Sequence, residues 1–177
     1  NIDAEMQRFK AYAKDLDTII LSEEVFYHSE VFFPAFWPII QKTLFDLFGK
    51  DIQIDIVLYL RRQDLWIESK FKEGVMTRVP WKLSIDETIQ EYKRIGFLNY
   101  YATLQRLEST FGKEHVLIRN YQRSNLTKHD IIYDFFDVCK IPWNSEYQYD
   151  ADQIANHSLN AHATYALDFI NRNIPVT

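Results

Sequence analysis

The sequence contains few of the residues that indicate a disulfide-rich, metal-binding or glycine-rich protein. Among its 177 residues are one cysteine, Cys139, and four glycines. A single cysteine cannot form an internal disulfide bond, and with five scattered histidines it offers no structural zinc site. Because glycine is scarce, long flexible linkers are not expected. We therefore expect a folded chain that holds no metal.

The sequence also lacks a hydrophobic run long enough to cross a membrane. Its most apolar stretch, VFFPAFWPII at residues 31–40, is too short to span a bilayer and contains two prolines. No signal peptide is recognisable, so the expected location is the cytoplasm. The formal net charge is −5 at pH 7, which argues against general nucleic-acid binding. A local basic pocket for one anionic ligand remains compatible with that charge.

The composition that is present indicates one folded domain. Apolar residues make up 47% of the chain and charged residues 25%, which is typical of a soluble globular protein. The length suits a single domain over residues 1–177, large enough to bury a core.

Hydrophobic periodicity predicts three strands and seven helices. The strands are expected at residues 18–24, 52–62 and 114–121, where β-branched and aromatic residues accumulate. Ser84 and Glu87 form a capping-box pattern, and Gly49 and Gly112 are expected to end helices. The predicted helices occupy residues 3–16, 33–49, 63–73, 84–96, 98–112, the second part of 124–141, and 158–173.

The alternation of strands and helices predicts an α/β fold of three layers, with a mostly parallel sheet between helices. Open sheets of this kind bind ligands beyond the carboxyl ends of their strands. Arg61 and Arg62 lie at the end of one predicted strand, and Ser22, Glu23 and Glu24 lie at the end of another. The sequence therefore predicts two polar clusters at the functional edge of the sheet.

Arg61 and Ser69 form a candidate anion site in the stretch YLRRQDLWIES, residues 59–69. A guanidinium offers planar donors that suit phosphate or sulfate oxygens, and the start of the next helix adds oriented N–H groups. Ser69 would add a hydroxyl. The alternative is that Arg61 or Arg62 simply pairs with Asp64 or Glu68 on the surface.

The same stretch resembles the 3′-phosphate-binding segment of sulfotransferases that use 3′-phosphoadenosine 5′-phosphosulfate (PAPS). In that family a strand ends in arginine, and a serine follows eight positions later in the next helix. The resemblance implies that Arg61 and Ser69 bind the 3′-phosphate of PAPS, while Arg62 is one position out of step. Residues 111–142, with the pair Asp134 and Phe135, are similar to the later part of bacterial, carbohydrate-type members.

The resemblance implies a fold like that of P-loop nucleotide-binding proteins, with one departure. The family holds the 5′-phosphosulfate with a loop between its first strand and first helix, and no such opening precedes Asp3. We therefore expect this sequence to be a fragment that lacks that strand, loop and helix.

Three residues are candidates for the general base that sulfuryl transfer needs. In carbohydrate sulfotransferases a glutamate just after the corresponding strand is the base, and Glu23 is the better match. Its neighbour Glu24 and the nearby His28 are the alternatives. Without the resemblance, Glu23 reads equally well as a helix-capping carboxylate, and a surface or packing role is favoured for His28.

The resemblance thus implies an enzyme that transfers a sulfuryl group from PAPS to a hydroxyl of a carbohydrate. It leaves 3′-phosphoadenosine 5′-phosphate (PAP, the adenosine 3′,5′-bisphosphate) as product and uses no metal. Two other functions stay open from the sequence: a non-catalytic binding module of the same ancestry, and a nucleotide or sugar kinase of related fold.

Overall fold

The computed structural model describes residues 2–23, 25–77, 82–144, 146–147 and 159–173. This part of the chain contains eight α-helices and two β-strands. The helices are α1 (Ile2–Ala13), α2 (Val25–Phe32), α3 (Phe36–Phe48), α4 (Gln63–Met76), α5 (Ile85–Ile95), α6 (Tyr100–Phe111), α7 (Ile131–Val138) and α8 (Ala161–Asn173). The strands are β1 (Ile56–Leu60) and β2 (Val116–Asn120).

The predicted fold class, a three-layer α/β fold with a mostly parallel sheet, is wrong for the described residues. They are mostly helical, and their sheet consists of β1 and β2 alone, in parallel. Two of the three predicted strands form, each shorter than predicted. The alternation of strand and helix patterns along the sequence predicted a sheet layer, but two short strands are too few to form one.

The predicted strand at residues 18–24 is also wrong over its described part. Residues 18–23 form no strand, and Glu24 lies outside the described residues. Ile19, Ile20 and Leu21 are 36%, 51% and 49% exposed. A strand needs a neighbour that bonds its N–H and C=O groups, and an apolar run alone does not supply one. Helix α2, which the sequence did not predict, follows this segment.

The chain divides into two compact units. Unit 1 spans residues 1–57 and 95–117, and unit 2 spans residues 58–94 and 118–177. The prediction of one domain over residues 1–177 stays a prediction.

Unit 1 has an aromatic core between α3 and α6. The rings of Trp37 and Phe111 meet edge to face with centroids 6.0 Å apart, and Gln41 donates a 2.6 Å hydrogen bond to the C=O of Thr110. Asn99 caps the start of helix α6 with a side chain that accepts from the N–H of Ala102, and Gly112, whose φ of 93° suits glycine, follows the end of the helix. The buried apolar residues described in unit 1 are Ala13, Trp37, Leu47, Phe97, Leu107, Phe111 and Val116.

Unit 2 packs around α4. Ile67, Phe71 and Val75 are buried at four-residue spacing, so they lie on one face of this helix. Helix α8 packs against α4, and its Asn171 donates a 2.9 Å hydrogen bond to the C=O of Val75.

The capping box predicted at the start of α5 is confirmed. The N–H of Ser84 donates to Glu87 at 2.7 Å, and the N–H of Glu87 donates to the hydroxyl of Ser84 at 3.3 Å. The backbone hydrogen bond from Ser84 lowers the pKa of Glu87. These reciprocal bonds satisfy N–H groups that a helix start leaves open.

Across the described residues, no helix combines the length and the apolar character that crossing a membrane requires.

Candidate functional site

Arg61 lies between the end of β1 and the start of α4, as the sequence predicted. Strand β1 ends at Leu60, and α4 begins at Gln63. The C=O of Leu60 accepts a 2.8 Å hydrogen bond from the N–H of Tyr121, just beyond β2. Arg61 is half-buried and stands at the carboxyl end of a parallel strand, directly before a helix. This is the arrangement in which helix N–H groups and a guanidinium can serve one anion.

Ser69 lies within α4 and is half-buried. It follows Arg62, the residue that precedes the helix, by seven positions. At 1.5 Å per residue this places it about 10 Å along the helix axis. An anion bound by both Arg61 and Ser69 would therefore lie beside the first two turns of α4, not at the tip of the helix.

Arg62 has a partner of its own. Its Nε and Nη2 donate to the two carboxylate oxygens of Asp64 at 3.1 and 2.5 Å. Both side chains are exposed, and the hydrogen bond from Arg62 lowers the pKa of Asp64. The surface pairing that the sequence left open as an alternative is therefore present for Arg62. Glu68, the other acid named in that alternative, accepts from Lys72 at 2.6 Å.

A buried carboxylate joins the ends of the two strands to α7. Asp134 of α7 is fully buried. Its Oδ2 accepts from the hydroxyl of Tyr59 in β1 at 2.8 Å and from Nε of Arg119 in β2 at 3.0 Å. Its Oδ1 accepts from Nη2 of Arg119 at 2.5 Å and from the N–H of Thr127 at 2.9 Å. We call these four residues (Tyr59, Arg119, Thr127 and Asp134) the strand-end clasp.

The electrostatics of the strand-end clasp keep Asp134 ionised. Hydrogen bonds from Arg119 hold the pKa of Asp134 far below its ordinary value, against the opposing effect of burial. The same bonds raise the pKa of Arg119. Burial, followed by the bond to Asp134, raises the pKa of Tyr59, so its hydroxyl stays protonated and donates. Because its charge is matched by Asp134, Arg119 is a poor candidate for binding a further anion.

The candidate bases lie in unit 1, where two of them show the roles expected without the resemblance. Glu23 is exposed, and its Oε1 accepts from the N–H of Val25 at 3.3 Å, which caps the start of α2. His28 is exposed, and its ring packs edge to face on Phe97 with centroids 4.8 Å apart. Glu24 lies outside the described residues. A role as general base stays a prediction for all three.

Glu30 is a buried acid in unit 1 that sequence patterns did not single out. It is 1% exposed and accepts hydrogen bonds from Nε of Arg106 and from the hydroxyl of Thr103, the latter at 3.1 Å. Its buried carboxylate is therefore matched by one guanidinium and one hydroxyl. These bonds give Glu30 a structural role, whereas the carboxylate of Glu23 is open to solvent.

A shallow hollow of about 400 Å³ lies along α5 in unit 2. Among the residues that line it are the carboxylates of Asp86, Glu87 and Glu91 and the side chain of Arg94. Arg94 pairs with Glu91 through two hydrogen bonds. The remaining negative charge does not suit an anionic nucleotide, and none of the predicted site residues lines this hollow.

The structure thus assigns Arg61 and Ser69 to unit 2, on consecutive elements, and Glu23 and His28 to unit 1.

The comparisons with known proteins give a distant relative and no family. Over 119 residues the chain is 30% identical to a protein of Archaeoglobus fulgidus that bears the description "uncharacterized protein". The match covers 67% of this chain and 31% of the relative, so the chain spans about a third of that protein. No protein-family model matches the chain. No solved structure matches it.

Proposed function

We propose that the protein is a PAPS-dependent sulfotransferase, and that Arg61 and Ser69 bind the 3′-phosphate of the donor. The observation that carries the proposal is local: β1 ends at Leu60, Arg61 follows, α4 begins at Gln63, and Ser69 lies in its second turn. This order of strand, arginine, helix and serine is the one that the resemblance implies. It holds although the predicted three-layer fold does not.

The chemistry of these groups supports binding of a phosphate. The fork of N–H donors on Arg61 suits two phosphate oxygens at once, and the hydroxyl of Ser69 suits a third. The first turns of α4 place a favourable dipole beside the same region. We assign the nucleotide to Arg61 because it directly follows β1 and stands before α4, the position that the resemblance implies.

The proposed reaction moves a sulfuryl group from phosphate to alcohol. The acceptor hydroxyl attacks the sulfur of PAPS, a new O–S bond forms, and the bond between sulfur and the bridging phosphate oxygen breaks. PAP leaves with the electron pair of the broken bond, and the acceptor proton passes to a general base. Glu23 is the base we propose, with Glu24 and His28 as alternatives. Glu23 is open to solvent, so its carboxylate can be approached by a hydroxyl-bearing acceptor.

The acceptor class and the compartment belong to the same proposal. We propose a carbohydrate hydroxyl as acceptor, because the sequence resembles carbohydrate-type members of the family. The cytoplasm is the proposed location. Nucleic acid is not proposed as a partner, because the net charge of −5 opposes binding to a polyanion.

Calorimetry and transfer assays on the full-length protein test the proposal. We expect PAP to bind, and Arg61→Ala to weaken binding by about 10- to 100-fold, as for the loss of a charged hydrogen bond. Arg61→Lys keeps the charge but loses the planar fork, so we expect an intermediate affinity. With ³⁵S-labelled PAPS and a panel of oligosaccharides, label should move to the sugar.

The outcomes separate the proposal from its alternatives. Binding of PAP without transfer to any acceptor indicates a non-catalytic binding module. Transfer of the γ-phosphate of ATP to a sugar or nucleotide, without binding of PAP, indicates a kinase. Equal PAP affinity in the wild type and in Arg61→Ala removes Arg61 from the site.

A further inference from the structure

The strand-end clasp concentrates four hydrogen bonds on one buried carboxylate, one of them from the strand that leads to Arg61. Each oxygen of Asp134 accepts two of them, and the donors come from β1, from β2 and from the segment that follows β2. A single side chain of α7 therefore holds three other parts of the chain. Tyr59, the donor from β1, precedes Arg61 by two residues.

Stability alone does not account well for such a group. A buried ion pair often contributes no more to folding than apolar side chains of the same size, because both charges lose their hydration. An ionised carboxylate does fix the positions of the groups that donate to it, because each hydrogen bond constrains a distance and a direction. In the strand-end clasp that geometry fixes the end of β1. The hydroxyl of Tyr59 is held by Asp134, and the C=O of Leu60 is held by the N–H of Tyr121.

We propose that Asp134 is a positioning residue for nucleotide binding, which acts through Tyr59 to hold the end of β1 and so the direction in which Arg61 leaves the strand. The inference rests on the proposed function, because it takes Arg61 to be a phosphate ligand. Asp134 itself is buried and bonded on both oxygens, so it does not contact the nucleotide. Its effect on affinity is indirect.

Glu30 offers a matched control for this proposal. Like Asp134 it is a buried carboxylate that accepts from one arginine and one hydroxyl, Arg106 and Thr103. It belongs to unit 1, whereas Arg61 belongs to unit 2. Replacing either acid by its amide removes the carboxylate that pairs with an arginine, and this lowers the free energy of unfolding. Only the loss at Asp134 loosens the strand that leads to Arg61.

The experiment compares four variants of the full-length protein by calorimetry with PAP, at a temperature well below their thermal midpoints. We expect Asp134→Asn to weaken PAP binding by roughly 3- to 10-fold, a change that a small displacement of one ligand produces. Tyr59→Phe keeps the pair of Asp134 and Arg119 but removes the hydrogen bond between Asp134 and β1, and we expect roughly 2- to 5-fold weaker binding. Glu30→Gln should keep the wild-type affinity although its thermal midpoint falls. Arg61→Ala reports on the phosphate site itself.

Each outcome decides between the positioning role, a purely structural role and failure of the site. If Asp134→Asn and Tyr59→Phe bind PAP as tightly as Glu30→Gln does, while Arg61→Ala binds weakly, the positioning role is wrong and the phosphate site stands. If Arg61→Ala binds like the wild type, or the wild type binds no PAP, the proposed function fails and this inference with it. If Asp134→Asn does not fold, the PAP affinity of Tyr59→Phe is compared with that of Glu30→Gln, and this comparison decides between the same alternatives.

Discussion

Arg62 and Asp64 face each other at the start of α4, where both donors of one edge of the guanidinium reach the carboxylate at 3.1 and 2.5 Å. This pairing occupies Arg62 at the surface. We expect Arg62→Ala to change the affinity for PAP by less than about threefold, because an exposed pair contributes little and its loss leaves no buried charge. Calorimetry with PAP on Arg62→Ala and Arg61→Ala measures the difference in affinity between the two variants. A loss in Arg62→Ala as large as in Arg61→Ala would show that the phosphate had been assigned to the wrong arginine.

Ser69→Ala tests the second proposed ligand. The variant loses one hydroxyl donor, and we expect PAP affinity to fall about fivefold, near 1 kcal/mol. Alanine favours helix more than serine does, so the free energy of unfolding should fall by no more than about 0.5 kcal/mol. Calorimetry and urea unfolding measure the two quantities. Unchanged affinity excludes Ser69 from the site, and a large loss of stability instead indicates that its hydroxyl is structural.

Glu23→Gln tests the proposed base. The variant keeps a side-chain oxygen that can accept from the N–H of Val25, so the start of α2 should be preserved. Because glutamine cannot take a proton, we expect turnover to fall by roughly 10²- to 10⁴-fold while PAP affinity stays within about twofold. His28→Ala is the parallel variant for the imidazole. A larger effect in His28→Ala would move the role of base to that residue.

Asp134 should make the protein sensitive to acid. Its pKa is lowered in the folded state, so its stabilising effect is complete above the ordinary pKa of aspartate, about 4, and is lost as the pH falls towards the folded value. We expect Asp134→Asn to lower the free energy of unfolding at pH 7 by about 3 kcal/mol, since Arg119 keeps a partly buried charge without its partner. The variant should also lose less stability than the wild type between about pH 5 and pH 2.

Urea unfolding at several pH values measures this slope. Asp64→Asn is the control, because Asp64 also pairs with an arginine but in an exposed position. Although Arg62 lowers the pKa of Asp64, an exposed pair contributes little to stability, so we expect the acid slope of this variant to stay close to that of the wild type. Parallel slopes for Asp134→Asn and the wild type would mean that Asp134 is already protonated, or unpaired, in the folded protein.

Lys140→Gly should stabilise unit 2. Lys140 follows α7 with a φ of 55°, and its N–H and that of Ile141 bond back to the C=O groups of Asp137 and Phe136 at 3.1 and 2.9 Å. This is the helix end that glycine usually provides. Removing the left-handed strain of lysine should raise the free energy of unfolding by about 0.5–1 kcal/mol. Lys140→Ala, which keeps the strain but lacks the charge, is the control and should bring no gain.

The sequence predicted most helices of this chain but not its fold class. Helices α5 and α6 are well marked because the capping box at Ser84 and the stop at Gly112 are local signals. The strand at 18–24 was predicted from apolar content alone, although a strand is defined by a partner elsewhere in the chain. Helix α2, VFYHSEVF, is rich in aromatic and β-branched residues, which carry weak helix preference.

Prediction of the candidate site succeeded and failed for the same reason as prediction of the fold. The position of Arg61 between strand and helix follows from neighbouring residues and was predicted correctly. The strand-end clasp was not predicted, because Tyr59 and Asp134 are 75 residues apart and no sequence pattern pairs them. The sequence marked Asp134 only as part of a family-like pair with Phe135. Glu30 and Arg106, 76 residues apart, were missed for the same reason.

The segment from Ile19 to Leu21 has a consequence for how the chain behaves at high concentration. Three adjacent apolar residues are exposed outside any helix or strand, a stretch able to stack against the same stretch of other molecules. Asp17 and Glu23 flank it, and their mutual repulsion between molecules opposes such stacking. The colloidal behaviour of a concentrated preparation therefore depends on two surface carboxylates.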